Sequence, residues 1–186
     1  MECFALLPPV HPVVCRATGQ KTNRYHICGK SFKLAVNTSY LSSMTPSKLA
    51  LSLQMPVAAD PARLWTVLTT AAYIKQWLGV TIASTWQPGA PMSFNFHFNG
   101  KDFEDKGVLL TLQTEKLFSY TYWSSFSGLE DAPENYSFVS FSLKPAGRAT
   151  MLSLEHSNIA TEQMYQHSLA NWKETLEEIK RLAENA

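Results

Sequence analysis

Residues 161–186 read TEQMYQHSLANWKETLEEIKRLAENA. Tyr165, Leu169, Trp172, Leu176, Ile179 and Ala183 recur at intervals of four and three. That spacing puts them on one stripe of an α-helix running from about Thr161 to Glu184. The opposite face carries Lys173, Glu174, Glu177, Lys180 and Arg181, with Glu177 and Arg181 spaced as a favourable i,i+4 pair. A long helix with one apolar stripe must bury that stripe against a partner, and the residues before it supply one.

Immediately upstream, Thr150, Leu152, Leu154 and His156 alternate with Met151, Ser153 and Glu155, the period of a strand with one covered face. Lys144-Pro145-Ala146-Gly147 separates it from a second strand, Tyr136 to Leu143. Gly128 to Asn135 is acidic and polar and reads as a loop, whereas Leu117 to Ser124 is aromatic and extended. Met92, Phe94, Phe96 and Phe98 alternate with Ser93, Asn95 and His97, and Asn99-Gly100 is a two-residue hairpin turn. The return strand is Lys101 to Gln113, with a bulge expected at Gly107. Val80 to Trp86 is a further strand before the Pro88-Gly89 turn. Two short helices precede it. One starts at Asp60-Pro61 with an N-cap acceptor and an N1 proline, and the other spans about Ala72 to Leu78 and stops at Gly79. Trp65 and Trp77 are placed to pack these helices against the sheet edge and the final helix. Lys48 to Val57 is the first strand.

The order predicts an α+β fold: a curved antiparallel sheet of six to seven strands around a long C-terminal helix, with two short helices after the first strand. A strongly twisted sheet cannot lie flush against a straight helix along its whole length. An apolar cavity between the two is therefore expected.

Charge divides the chain at the start of this domain. Residues 1–47 hold five Lys/Arg against one acid, a balance of +4, and residues 48–186 hold eleven against fourteen, a balance of −3. No basic stripe favours nucleic acid. No apolar run is long enough for a membrane span. Cys3, Cys15 and Cys28 all precede Lys48, so the domain needs no disulfide. Pro8, Pro9 and Pro12 interrupt the one apolar stretch of residues 1–47, and that segment reads as a disordered or leader-like tail. It is either a leader ahead of a start at Met44 or an organelle transit peptide, basic and acid-poor. Cys15, His26 and Cys28 match no common zinc spacing. A cytoplasmic location is expected, with organelle import through the tail as the alternative.

Several motifs carry a family resemblance. Pro56-Val57 with Pro61, Leu64 and Trp65, then Gln76-Trp77, the Trp86–Gly89 turn and Gly107-Val108, resemble the C-terminal domain of the heat-shock-protein-90 ATPase activator. So do the strand Thr150 to Ser157 and the helix motif Asn171-Trp172 with Leu176 and Ile179. The resemblance covers essentially Lys48 to Ala186. It implies the helix-grip fold of the SRPBCC superfamily, shared with START domains and the birch-pollen allergen, and an apolar ligand cavity. That superfamily includes lipid carriers, cyclases, resistance proteins and co-chaperones, so the fold leaves the function open. Many relatives have glycine where this chain has Asn171, and residues 1–47 do not resemble the activator's N-terminal domain.

The expected ligand-binding residues are Phe94, Phe96, Phe98, Tyr120, Tyr122, Phe141, His156, Tyr165, Leu169 and Trp172, all with inward parity on strands or helix. Val139, Leu152 and Leu154 share that face as packing residues. The ligand would be small and largely apolar, with the tyrosine hydroxyls and the Trp172 N–H orienting it. Two alternatives stand beside this reading. One is a stress-linked, co-chaperone-like interaction domain with a chaperone partner. The other is a cyclase- or hydrolase-like enzyme in which His156 is the base. Against that role, His156 is read as a histidine that locks the strand end by hydrogen bonding. His97 is expected in solvent and His167 at the margin of the helix stripe. Glu130, Asp131 and Glu134 form a solvated loop whose spacing is not that of an EF-hand. No nucleotide, hydrolase or metal motif stands out, so no cofactor, metal site or catalytic group is assigned.

Overall fold

The computed structural model describes residues Lys48–Asn185. The tail, its leader and transit readings and the Cys15, His26 and Cys28 trio lie outside the described residues. Within them the order is β1 (Leu49–Val57), α1 (Pro61–Thr69), α2 (Ala71–Leu78), β2 (Thr81–Ala83), β3 (Pro91–Phe98), β4 (Lys101–Gln113), β5 (Leu117–Tyr122), β6 (Ser137–Ala146), β7 (Ala149–Ile159) and α3 (Glu162–Glu184). Short 3₁₀ turns fall at Ser125–Ser127, just before the acidic loop, and at Pro133–Asn135, within it.

The strands make one antiparallel sheet in the order β1-β7-β6-β5-β4-β3-β2. It is a meander from β2 to β7, completed when β1 pairs with the last strand. This is the expected helix-grip α+β architecture. Asn99 and Gly100 both have positive φ, 48° and 76°, the conformation that a two-residue hairpin between Phe98 and Lys101 requires. Asp60 caps α1 by accepting from the Arg63 N–H at 2.7 Å, and Thr161 caps α3 by accepting from the Met164 N–H at 3.2 Å. Gly79 ends α2.

Four details depart from the sequence reading. The strand expected over Val80 to Trp86 is ordered only at Thr81–Ala83, because β2 pairs with just Ser93 to Asn95 of β3. The bulge falls at Leu110 rather than Gly107, since the β4–β5 register shifts between Leu109 and Thr111. Gly107 instead admits a close approach of backbone: a Cβ there would lie 2.0 Å from the Thr121 carbonyl oxygen. Arg181 pairs with Glu178 rather than Glu177, at 2.5 Å.

Helix α3 lies against β1, α1, α2 and β7. Its buried residues are Trp172, Thr175, Leu176, Ile179, Leu182 and Ala183, so no residue of the helix before Trp172 is buried. The C-terminal end is held by polar contacts. Arg63 donates to the Leu182 carbonyl at 2.7 Å, supplying a cation and a donor where helix carbonyls lack intrahelical partners. The Ala58 N–H donates to Glu184 and Lys180 donates to the Pro56 carbonyl, both across to the end of β1 and the turn after it. Trp77 is buried, gives its N–H to the Val67 carbonyl at 2.9 Å and stands edge-on to Phe141. Trp65 is only half-buried, and Leu64 takes the enclosed position on α1. Among the described residues no helix is long and apolar enough to cross a membrane.

The Gly107 contact sets a test. Gly107→Ala is expected to lower the unfolding free energy by about 2–3 kcal/mol, because the clashing atom is backbone and β5 must shift to relieve it. Urea melts measure this, and a loss below about 0.5 kcal/mol would contradict the close approach.

Candidate functional site

The inner face of the sheet is built by strand parity. Met92 and Phe94 of β3, Leu109 of β4, Phe118 and Tyr120 of β5, Val139 and Phe141 of β6, and Leu152, Leu154 and His156 of β7 are all buried on it. The rings form a continuous chain. Trp172 of α3 stands edge-on to Phe141 at 5.7 Å, Phe141 stacks on Phe118 at 6.1 Å, and Phe118 meets Tyr120 at 5.2 Å. Tyr120 meets Phe94 at 5.5 Å, and Phe94 meets Tyr122 edge-on at 5.3 Å. The aromatic surface thus runs from the helix to β3.

The expected site residues fall into three groups. Phe94, Tyr120, Tyr122, Phe141, His156 and Trp172 are linked through this chain and through the contact of His156 with Trp172. Tyr165 and Leu169 lie on earlier turns of α3 and are partly buried against the core. Phe96 and Phe98 belong to a different aromatic group at the β3–β4 hairpin. Phe96 stacks on Phe103 at 5.6 Å, and Phe126, from the 3₁₀ turn after β5, packs against Phe103 at 4.6 Å and against Phe98 at 6.1 Å. Sequence parity joined these two phenylalanines to Phe94; Phe126, on an irregular turn with no period to read, draws them into its own cluster.

His156 is the polar centre of the inner face, only 8% exposed. Trp172 Nε1–H donates to His156 Nδ1 at 3.0 Å. An indole nitrogen is a donor only, so Nδ1 must present its lone pair, and in the neutral ring the proton sits on Nε2. Among the described residues, that Nε2 is the buried side-chain nitrogen or oxygen without a hydrogen-bond partner. Burial lowers the imidazole's pKa from 6.5 to about 4, so the ring is neutral near pH 7. This arrangement opposes a general-base role: Nδ1 is occupied by Trp172 and Nε2 carries a proton. His156 is thereby tied through Trp172 to the middle of α3.

A second polar group on this face escaped the sequence reading. Asp105 is 1% exposed, on β4 directly opposite Phe94. Tyr122 donates its hydroxyl proton to Asp105 at 2.5 Å, and the Ser125 N–H donates at 3.3 Å. Burial pushes the Asp105 carboxyl above its ordinary value, while hydrogen bonds from Tyr122, Ser124 and Ser125 pull it back. Burial first, then the nearby Asp105 charge, hold the Tyr122 hydroxyl protonated. The signal was present: Phe103, Asp105, Gly107 and Leu109 share one parity, so a carboxylate stands in an apolar alternation.

The remaining candidates sit elsewhere. His97 is exposed, with Nδ1 2.8 Å from the Asp102 carboxylate. His167 Nε2 and the Asn171 side-chain amide lie 2.6 Å apart at the helix margin. In the acidic loop, Asp131 accepts from Lys106 at 2.8 Å and from the Tyr136 hydroxyl at 2.6 Å, which fastens the loop to β4. The Glu130 carbonyl accepts from Trp123 Nε1–H at 3.1 Å.

Comparison with known proteins agrees with this architecture. A family model described as activator of Hsp90 ATPase homolog 1-like protein matches residues 58–184. The solution structure of ChR145 from Cytophaga hutchinsonii is 30% identical with a TM-score of 0.66, over 75% of this chain and 96% of that one. The Aha1 dimer from Colwellia psychrerythraea is 22% identical with a TM-score of 0.58, over 73% of this chain and 96% of that one. Ara h 8.0201 shares the fold at 12% identity, with a TM-score of 0.59 over 75% of this chain and 99% of that one. No curated protein matches the chain.

The neutral imidazole has a consequence for stability. Its folded pKa, about 4, lies below the ordinary 6.5, so the unfolded chain takes up the proton first as pH falls. Stability is full above about pH 6.5 and is lost progressively toward pH 4. The expected loss is about 2 kcal/mol between pH 7 and pH 4.5, ahead of most carboxylate titration. Urea midpoints of the native protein and His156→Gln across that range test this. The native protein should weaken and the variant should change much less; parallel slopes would contradict the buried neutral ring.

Proposed function

The chain belongs to the activator of Hsp90 ATPase homolog 1-like family, and from that membership we propose that it binds a small, largely apolar molecule between the inner sheet face and α3. The observation carrying this reading is the uneven seating of the helix. From Trp172 onward α3 is locked into the core, yet before Trp172 none of its residues is buried, although an aromatic surface continues across the sheet as far as Phe94 and Tyr122. Seating a flat or flexible apolar molecule beneath the first turns of α3, where Met164, Tyr165 and Leu169 are only partly buried, supplies the free energy of binding, and few polar groups are needed to orient it.

An enzymatic role with His156 as base is disfavoured by its fixed tautomer. A stress-linked, co-chaperone-like role is the alternative suggested by the family's name. We also propose a cytoplasmic location, with which a domain free of cysteine over residues 48–186 is compatible.

Native mass spectrometry of the full chain purified from its own host, with a thermal-shift screen of neutral aromatics, sterols and fatty acids, tests the binding reading. The expected result is a 1:1 complex and a rise in Tm of roughly 5 °C at saturating ligand. No adduct and no shift across the screen would contradict it, while recovery of a chaperone whose ATPase rate then changes would favour the alternative.

A further inference from the structure

Resting on the binding reading above, we infer that His156 and Tyr120 form the polar end of the site and select a neutral ligand bearing an acceptor oxygen, such as a ketone, ester or amide carbonyl. His156 Nε2–H is the donor to that oxygen, and the Tyr120 hydroxyl is the second polar contact.

Three observations point this way. First, the Trp172 N–H holds the imidazole in one tautomer, so the free nitrogen presents a proton and never a lone pair. A buried donor without an acceptor is costly, and a ligand oxygen that receives it recovers that cost. Second, strand pairing puts His156, Val139 and Tyr120 in one row across β7, β6 and β5. The two polar residues are therefore two strands apart, about 10 Å along the sheet, on the same inner face and separated by an apolar valine. Tyr120 is 3% exposed as a residue, and among the described residues its hydroxyl is not one of the fully enclosed atoms that lack a partner. Third, charge is wrong for an anion. The buried charged group on this face is Asp105, an acid, and Arg63 and Lys180 are engaged at the far end of α3. A carboxylate would lose its hydration with no cation to replace it. A pure hydrocarbon would leave the His156 proton unpaired.

The test uses the full-length chain and three probes of one shape: benzophenone, diphenylmethane and diphenylacetate. Benzophenone should bind about tenfold more tightly than diphenylmethane, and diphenylacetate more weakly than either. In the infrared spectrum, the carbonyl stretch of bound ¹³C-labelled benzophenone should shift to lower frequency than in hydrocarbon solvent. His156→Phe should abolish both the affinity advantage and the shift. Tyr120→Phe, which keeps the ring in its aromatic contacts, should reduce the advantage several-fold. Equal affinities for benzophenone and diphenylmethane, or an unshifted carbonyl in the native protein, would overturn the polar assignment while leaving the apolar site standing. Absence of binding by all three probes would overturn both.

Discussion

A straight helix cannot follow a twisted sheet along its full length, and the placement of α3 follows from that constraint. The chain resolves it by fixing one end. Arg63 meets the terminal carbonyls, Lys180 and Glu184 reach the end of β1 and the turn after it, and Leu176, Ile179, Leu182 and Ala183 fill the core. Trp172 marks where this seating begins. There its ring covers Phe141 and its N–H reaches across to β7. The residues toward the helix start, Met164, Tyr165 and Leu169, are only partly buried. The geometry that makes the fold thus also decides where a ligand is proposed to enter.

The polar groups on the inner face take distinct forms. Asp105 is saturated: Tyr122, Ser124 and Ser125 surround its carboxyl, so it belongs to the architecture of β4 and the turn after β5. His156 is half-satisfied, accepting at one nitrogen and holding an unmatched proton at the other. Natural cores rarely leave a buried donor unpaired, and such a group calls for an explanation. A ligand acceptor is one that accounts for its position in an aromatic surface as well as for its chemistry.

Much of the fold was legible because it rests on periodicity. The four-three spacing through Trp172, the alternation of β3 and β7, the Asn99-Gly100 turn and the Asp60-Pro61 helix start are local signals, and each led to the observed element. What was misplaced depends on neighbours. Gly107 looks like a bulge in one dimension; in three it is where the Thr121 carbonyl crowds β4, and the register shift comes at Leu110. Arg181 has acids at both i−3 and i−4, and spacing alone does not choose between Glu178 and Glu177. Of the candidate site, parity located the aromatic face and His156. It joined Phe96 and Phe98 to the wrong neighbours, since the partner that claims them, Phe126, lies on an irregular turn. The tautomer of His156 was invisible, because it is set by a side chain on another element.

Family membership accounts for the sheet, the helix and their order, and relatives at 22% and 12% identity carry the fold alone. The functional argument rests instead on one imidazole. Its most direct test is a ¹⁵N NMR spectrum of the histidine rings in the full chain near pH 7, with His156 assigned by substitution. The account predicts that His156 Nε2 resonates as a protonated, pyrrole-like nitrogen coupled to its hydrogen, and Nδ1 as an unprotonated, pyridine-like nitrogen. A proton found on Nδ1, or on both nitrogens, would contradict it.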